Sequence, residues 1–400
     1  MLNIDMKRCM GCGACENVCS RNAIRMVESE RGFLYPTVDE SLCVQCGQCE
    51  KKCPLNADTP VHTYKQHVFA AWSKDKNILD LASSGGVFAL LAKEVLKDGG
   101  IVCATRFEND FSGVIFDSCD RERDLAGFCG SKYIQSKTGM IYRKTKEYLQ
   151  EKRKVLFVGT GCQIAALKSY LGKTYENLLC VDLVCHGVPS PMVWRNYIEG
   201  LIQKHEGKSV KFISFRKKEP SWREYSIQIE FADGKKYEAK KTDDPYLVAF
   251  AKDYMIRPSC EHCKFACANR EGDLTLSDFW GYRSFDFQTR NRGKGISCCI
   301  INSDRGMQAF EQIKAQLVIT EKTMEEAIRG NRSLTRPWSA NPASENFWNL
   351  YMEKQNDALY QFCRPYKNSA SMKLDWFIQD HLWMIPKPIL TYLLKKKNRG

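Results

Sequence analysis

The chain has 400 residues, an apolar fraction of 44%, a charged fraction of 27% and 20 cysteines. That length and balance suit two or three soluble domains, and they exclude a disordered or fibrous chain. The formal net charge is +13, but residues 1–60 hold seven Lys/Arg against eight Asp/Glu, and the downstream excess forms no recognition-helix pattern, which argues against nucleic-acid binding.

The N-terminus (Met1-Leu2-Asn3-Ile4-Asp5) lacks the basic and then apolar stretches of a leader. Thiolates held by metal in a reducing cytoplasm are therefore expected, not disulfides. Cys9, Cys12, Cys15 and Cys19 follow C-x2-C-x2-C-x3-C, and Cys43, Cys46, Cys49 and Cys53 repeat it with Pro54 after the last. Three thiolates at such spacing wrap one side of a [4Fe-4S] cubane, and the fourth reaches the neighbouring cluster. The pattern assigns Cys9, Cys12, Cys15 and Cys53 to one cluster and Cys43, Cys46, Cys49 and Cys19 to a second. Ser20 stands where a proline usually follows the fourth cysteine of the first run.

After Pro60 the text alternates between strands and helices. Val87 to Lys97 has helical spacing behind Ser83-Ser84-Gly85-Gly86, and Ile101 to Thr105 reads as a strand. Val155 to Val158 is a buried strand that turns at Gly159-Thr160-Gly161 into a helix from Cys162 to Leu171. Leu178 to Val184 is another strand, closed by His186-Gly187-Val188-Pro189 before a helix from about Pro191 to His205. Such units predict an α/β domain over 66–332 with a partly parallel sheet. Ser226 to Phe231 alternates strictly, and Asp233-Gly234 is a hairpin signal. Residues 1–58 read as a ferredoxin-like α+β module and 333–400 as a helical C-terminal extension.

The apolar stretches at Asp375-Trp376-Phe377-Ile378 and Ile389 to Leu394 are too short to cross a membrane. The basic tail, Leu393 to Arg399, can make peripheral contact with an anionic partner or membrane. The Trp and Tyr residues of 338–360 read as core.

Cys260, Cys263 and Cys267 give C-x2-C-x3-C, three ligands that need a fourth. Cys185 and Cys162, each just past a predicted strand, are the candidates, for a third iron–sulfur cluster or for a structural zinc. The remaining cysteines (Cys103, Cys119, Cys129, Cys180, Cys298, Cys299 and Cys363) read as small buried apolar residues. His186, beside Cys185 at a strand end, is the candidate for proton transfer.

Several blocks resemble the coenzyme F420 hydrogenase/dehydrogenase beta-subunit family. They are Ser83 to Phe88, Gly130 to Ser136, Phe157 to Gln163, Asp182 to Ser190, and Arg257-Pro258-Ser259-Cys260 through Asp278-Phe279-Trp280-Gly281. With the ferredoxin-like module, the likeness spans about residues 1–315. It is nearest to a bacterial branch often found beside polysaccharide-synthesis genes. Gly161 and Ser277 depart from the family's usual Pro and Gly.

The resemblance implies an α/β flavoprotein with FAD beside a four-iron cluster. Its relatives act on coenzyme F420 or on hydroxymethyl chlorophyll. Ser84, Gly85, Gly86, Gly159, Thr160, Gly161 and Gln163 then suit the cofactor, because glycine turns that open helices leave N–H groups free for a pyrophosphate. Lys132 is placed to meet a phosphate or a reduced flavin. The function expected is that of an oxidoreductase passing electrons between an acidic carrier such as ferredoxin, its clusters, FAD and an organic acceptor. The alternative is an electron-transfer subunit serving a partner redox enzyme.

Overall fold

The computed structural model describes residues 5–57, 63–282 and 293–381; the basic tail expected to contact a partner lies outside them. The cysteine-dense module comprises two short helices, Ala14–Val18 and Gln48–Lys51, and an antiparallel hairpin of β1 (Ile24–Glu28) and β2 (Leu34–Val38).

Behind it lies an eight-stranded mixed sheet. Its strands are β3 (His67–Ser73), β4 (Ile101–Phe107), β5 (Val114–Cys119), β6 (Val155–Thr160), β7 (Leu178–Leu183), β11 (Leu274–Asp278), β12 (Ser297–Ile301) and β13 (Leu317–Lys322). The order is β13-β3-β12-β11-β7-β6-β4-β5. Strands β4, β6, β7 and β11 run parallel, and the remaining pairings are antiparallel. The fold is thus α/β with a mixed sheet, as the alternation of strands and helices predicts. A continuous apolar run such as Val155-Leu156-Phe157-Val158 is stable only where both faces are covered.

Alternate residues serve the two faces. Val102, Ala104, Leu156, Val158 and Val181 pack under the helices Val87–Lys97 and Asp304–Lys314. Ile101, Cys103, Val155, Phe157 and Cys180 pack under Ile141–Gln150 and Gly161–Leu171. Ala14 and Cys12 of the module join this second face.

The module is tied down there by polar contacts. Arg143 donates from Nε to the Asn17 carbonyl (2.6 Å) and from Nη2 to the Cys19 carbonyl (2.6 Å). These acceptors close the C-terminal end of Ala14–Val18, whose last carbonyls have no partner within the helix. The Tyr142 hydroxyl donates to the Cys12 carbonyl at 2.9 Å.

A second sheet, β8 (Val210–Lys217), β9 (Ser226–Phe231) and β10 (Lys236–Lys240), is antiparallel, with Asp233-Gly234 in the predicted hairpin turn. It shares a core with Pro191–Lys204 and with the helices Ser344–Lys354 and Asn356–Phe362, through Trp194, Phe215, Ile229, Phe347, Trp348 and Leu359. Phe33 of the hairpin β1–β2 enters the same core. The C-terminal helices are therefore packed into the body of the protein. Among the described residues no helix is long and apolar enough to cross a membrane.

Candidate functional site

In the cysteine module, the Cys15 thiol lies near enough to Cys9 and Cys53 for each to raise its pKa, although burial is the main cause of its rise to about 12. Cys12 is raised too, by burial first and then by Cys15, Cys162 and Cys9 among its neighbours. Cys53 is raised by burial and then by Cys9 among its neighbours, so Cys9, Cys12, Cys15 and Cys53 are near one another in space. Cys46 of the second run is exposed, beside Leu42 (45% exposed) and Val44 (59%).

A second thiol group forms where three remote segments meet. Cys162 starts the helix after β6, Cys185 follows β7, and Cys260 and Cys263 lie in and after the short turn Pro258–His262. All four line one small cavity of about 50 Å³, and Cys12 lines it as well. Burial pushes Cys162 up to about 12, with Cys263 and Cys185 adding to the rise. Cys185 rises to about 11 from burial and then from Cys263. Cys267 stands apart from this wall; its sulfur lies 3.1 Å from the Asn269 carbonyl, to which the thiol donates. Both candidates for the missing fourth ligand, Cys162 and Cys185, therefore meet Cys260 and Cys263, while Cys267 does not line their cavity.

The loop that carries these thiols is anchored by a buried ion pair, Arg270 Nη2 to Asp182 Oδ2 at 2.7 Å, with side chains 2% and 0% exposed. Arg270 Nη1 also donates to the Phe265 and Cys267 carbonyls (3.0 and 3.2 Å). Among the described residues no three His, Cys, Asp or Glu side chains are drawn together tightly enough to hold one metal ion.

A much larger cavity, about 570 Å³, opens beyond the carboxyl ends of β6, β7 and β11. In parallel sheets this edge is where ligands bind. Ser84, Gly86, Lys132, Gly159, Thr160, Gln163 and His186 all line it, although 83–86, 130–136, 157–163 and 185–190 are far apart in sequence. Cys185 lines both cavities.

Two of the predicted cofactor residues have another placement. Gly85 is pressed against β3, where a Cβ would come within 2.2 Å of the Ala71 carbonyl, and its N–H donates to Ser297 Oγ (3.0 Å). Gly161 lines the thiol cavity and packs against Phe265. At the helix start, Gln163 Oε1 accepts from the Thr160 N–H (2.8 Å), and Gln163 Nε2 donates to Ser136 Oγ (3.0 Å). Lys132 donates its ammonium to the Phe128, Cys129 and Gly130 carbonyls at 3.3, 3.0 and 3.2 Å, so its three donors are engaged. Burial pulls its pKa down to about 8.

The cavity also holds residues that no sequence motif marks. Lys241 lies over the Tyr225 ring (5.0 Å), and burial, followed by Arg216, lowers its pKa to about 8. Arg216 pairs with Asp278 and lies 4.6 Å from the Tyr225 ring centre. Trp338, read as core, stands in the wall with its ring 4.3 Å from His186. Ser84 Oγ, Arg216 Nε, Asp278 Oδ1, Arg332 Nε and Trp338 Nε1 are buried on this wall without a hydrogen-bond partner. Buried polar atoms are ordinarily paired, so these mark a place for a polar ligand. His186 Nε2 is hydrogen-bonded to Asp253 Oδ1.

The comparisons with known proteins follow this division. Residues 8–57 match the 4Fe-4S dicluster domain, and residues 152–327 match the C terminus of the coenzyme F420 hydrogenase/dehydrogenase beta subunit. No curated protein matches the chain. Among solved structures it is similar to a chain of the xenon-derivatised F420-reducing [NiFe] hydrogenase complex of Methanosarcina barkeri. The identity is 16% and the TM-score 0.43, over 78% of this chain and 98% of that one. By these matches, the chain joins a 4Fe-4S dicluster domain, residues 8–57, to a segment, residues 152–327, of the C-terminal family of coenzyme F420 hydrogenase/dehydrogenase beta subunits.

Proposed function

We propose that the protein is an iron–sulfur flavoprotein oxidoreductase, in which electrons pass through the two clusters of the module and a third cluster to FAD and an organic acceptor. The observation that carries this reading is the shared wall: Cys185 lines both the thiol cavity and the large cavity, and Cys12 of the module lines the thiol cavity. Three redox sites placed in this way form one continuous path.

Cys162, Cys185, Cys260 and Cys263 are the ligands of the third cluster in this reading. A single zinc ion, with Zn–S bonds of about 2.3 Å, would draw thiolates into a compact group. A cubane keeps them further apart, because irons and sulfides lie between them, so metal analysis for iron and zinc distinguishes the two.

FAD fits the large cavity by its size, its unpartnered polar atoms and its basic wall, and when bound it exchanges one-electron for two-electron steps. Ser84 Oγ, Arg332 Nε and Trp338 Nε1 supply hydrogen-bonding groups to it. Lys241 supplies positive charge. The aromatic rings of Tyr225, Trp280 and Trp338 exclude water from the walls. Asp253 holds His186 as the Nε2–H tautomer, which leaves Nδ1 to give or take a proton.

Cys46, Leu42 and Val44 are exposed, so a one-electron carrier would meet the module at the second cluster they border. The net charge of +13 lies downstream of the module, so it draws an acidic carrier to the protein as a whole and not to the face around Cys46. The test is anaerobic reconstitution of the full chain, followed by iron and flavin analysis. The reading expects about twelve irons, for three four-iron clusters, one tightly held FAD, and reduction of a quinone acceptor by dithionite through the protein. Iron without flavin would overturn it in favour of an electron-transfer subunit.

A further inference from the structure

Arg257 is one of the largest fully buried side chains, 0% exposed. Its Nε donates to the Cys9 carbonyl at 2.8 Å and its Nη1 to Gln135 Oε1 at 3.3 Å, while Nη2 has no partner. The guanidinium lies over the rings of Tyr35 (4.1 Å) and Phe33 (5.7 Å). None of these partners carries a negative charge. The buried Arg216 and Arg270, by contrast, each face a carboxylate, Asp278 and Asp182.

Burying a charge against neutral groups alone is unfavourable, and an arginine cannot escape by losing its proton. The surroundings point to what offsets that cost. The cysteine loop of the module is moulded onto the guanidinium at Gly11, whose φ is +65°. A Cβ at that position would stand 3.0 Å from Nη1 and 2.4 Å from the Gln135 amide nitrogen. Arg257 thus sits directly behind the segment carrying Cys9 and Cys12, with Cys162 also within its electrostatic reach.

We infer that Arg257 is the buried counter-charge of the module cluster held by Cys9, Cys12, Cys15 and Cys53, and that it raises the reduction potential of that cluster. A cubane bound by four thiolates is an anion, and reduction adds one electron and one further negative charge without making or breaking a bond. A fixed positive charge in a site shielded from water favours the more negative state. Arg257 acts here as a positioning and tuning residue. The inference rests on the dicluster domain and stands apart from the flavin; a third cluster at Cys162 would feel the same charge and shift in the same direction.

The experiment is an EPR-monitored redox titration of the reconstituted full chain, comparing wild type with Arg257→Gln, Arg257→Lys and Gln135→Glu. Arg257→Gln is expected to disfavour reduction of one cluster at least about tenfold, which is about 59 mV for a one-electron couple. Another cluster, further from position 257, keeps its midpoint. Arg257→Lys retains the charge and stays nearer wild type. Gln135→Glu sets a carboxylate against an intact guanidinium and lowers the same midpoint, and it carries the test if Arg257→Gln takes up no iron. Unchanged midpoints in both neutralising variants, or equal shifts in every cluster, would overturn the inference. Absence of any cluster signal in wild type would instead refute the dicluster assignment.

Discussion

His186 Nε2 lies 2.5 Å from Asp253 Oδ1, and Asp253 meets it from a left-handed backbone (φ 61°). The imidazole is also flanked by Trp338 and Phe250, with ring centres 4.3 and 5.1 Å away. A ring fixed on three sides beside the large cavity is suited to moving a proton. His186→Gln is expected to slow turnover with a quinone, which takes up protons, by about a hundredfold. Asp253→Asn should slow it less. Turnover with ferricyanide, which takes up none, should hold in both, and paired assays with the two acceptors check this.

The thiol cavity separates Cys162 from Cys267. Cys162→Ser is expected to lower bound iron from about twelve to about eight per chain, with the module's clusters retained. Cys267→Ser should keep the third cluster, because that sulfur lies off the cavity wall. Iron analysis and EPR of the reduced proteins distinguish the two.

Lys241 supplies a pH dependence. Burial brings its pKa down to about 8, so the side chain is charged below that pH and neutral above it. An anion in the cavity is bound by the charged form. Affinity for FAD should therefore be full below pH 8 and weaken as pH rises past it, by up to about tenfold per unit for one proton taken up. Lys241→Met should bind more weakly at neutral pH and have a shallower slope, the remainder coming from Lys132 on the same wall. Flavin fluorescence titrations at several pH values measure both effects.

Gly11→Ala combines a left-handed backbone with a collision against Gln135 and the Leu34 carbonyl. The cost is at least about 1–3 kcal/mol from the backbone alone. The unfolding free energy should fall by that amount, which lowers the denaturant midpoint, and iron retention should fall with it.

The Arg270–Asp182 pair is buried, so removing one partner strands the other. Asp182→Asn is expected to destabilise the fold by about 3–5 kcal/mol. Arg270→Met with Asp182→Leu should cost less than the two single changes added together. Equilibrium unfolding of wild type, Arg270→Met, Asp182→Leu and the double variant closes this cycle.

Much of the secondary structure was legible because it depends on local patterning. Val87–Lys97 and Ser226–Phe231 fall on their predicted bounds. The helix Gly161–Leu171 begins one residue before its prediction. The turn residues and apolar periods that mark these elements lie within the elements themselves. The C-terminal helices were legible as helices, but their burial against β8–β10 was not, because a core shared by segments far apart leaves no local mark. Trp338 illustrates the same limit: an indole in a helix-rich, aromatic stretch reads as core until its neighbours His186 and Arg332 are known. Lys132 was found as a cavity residue, whereas the three carbonyls that occupy its ammonium could not be foreseen.

The sequence by itself marked the two cluster-binding runs, since three ligands of each run lie within a single loop and the repeat of the spacing supplies the fourth from the other run. It also marked the strand–turn–helix units whose ends line the large cavity. Tertiary structure decided which thiols meet. Cys162, Cys185, Cys260 and Cys263 converge because parallel strands β6 and β7 deliver their carboxyl ends to one edge and Arg270 ties the third segment to Asp182. It also decided that Arg257 is buried against the Cys9 carbonyl. Whether an arginine meets a carboxylate or a cluster depends on packing between elements, and no spacing along the chain records it.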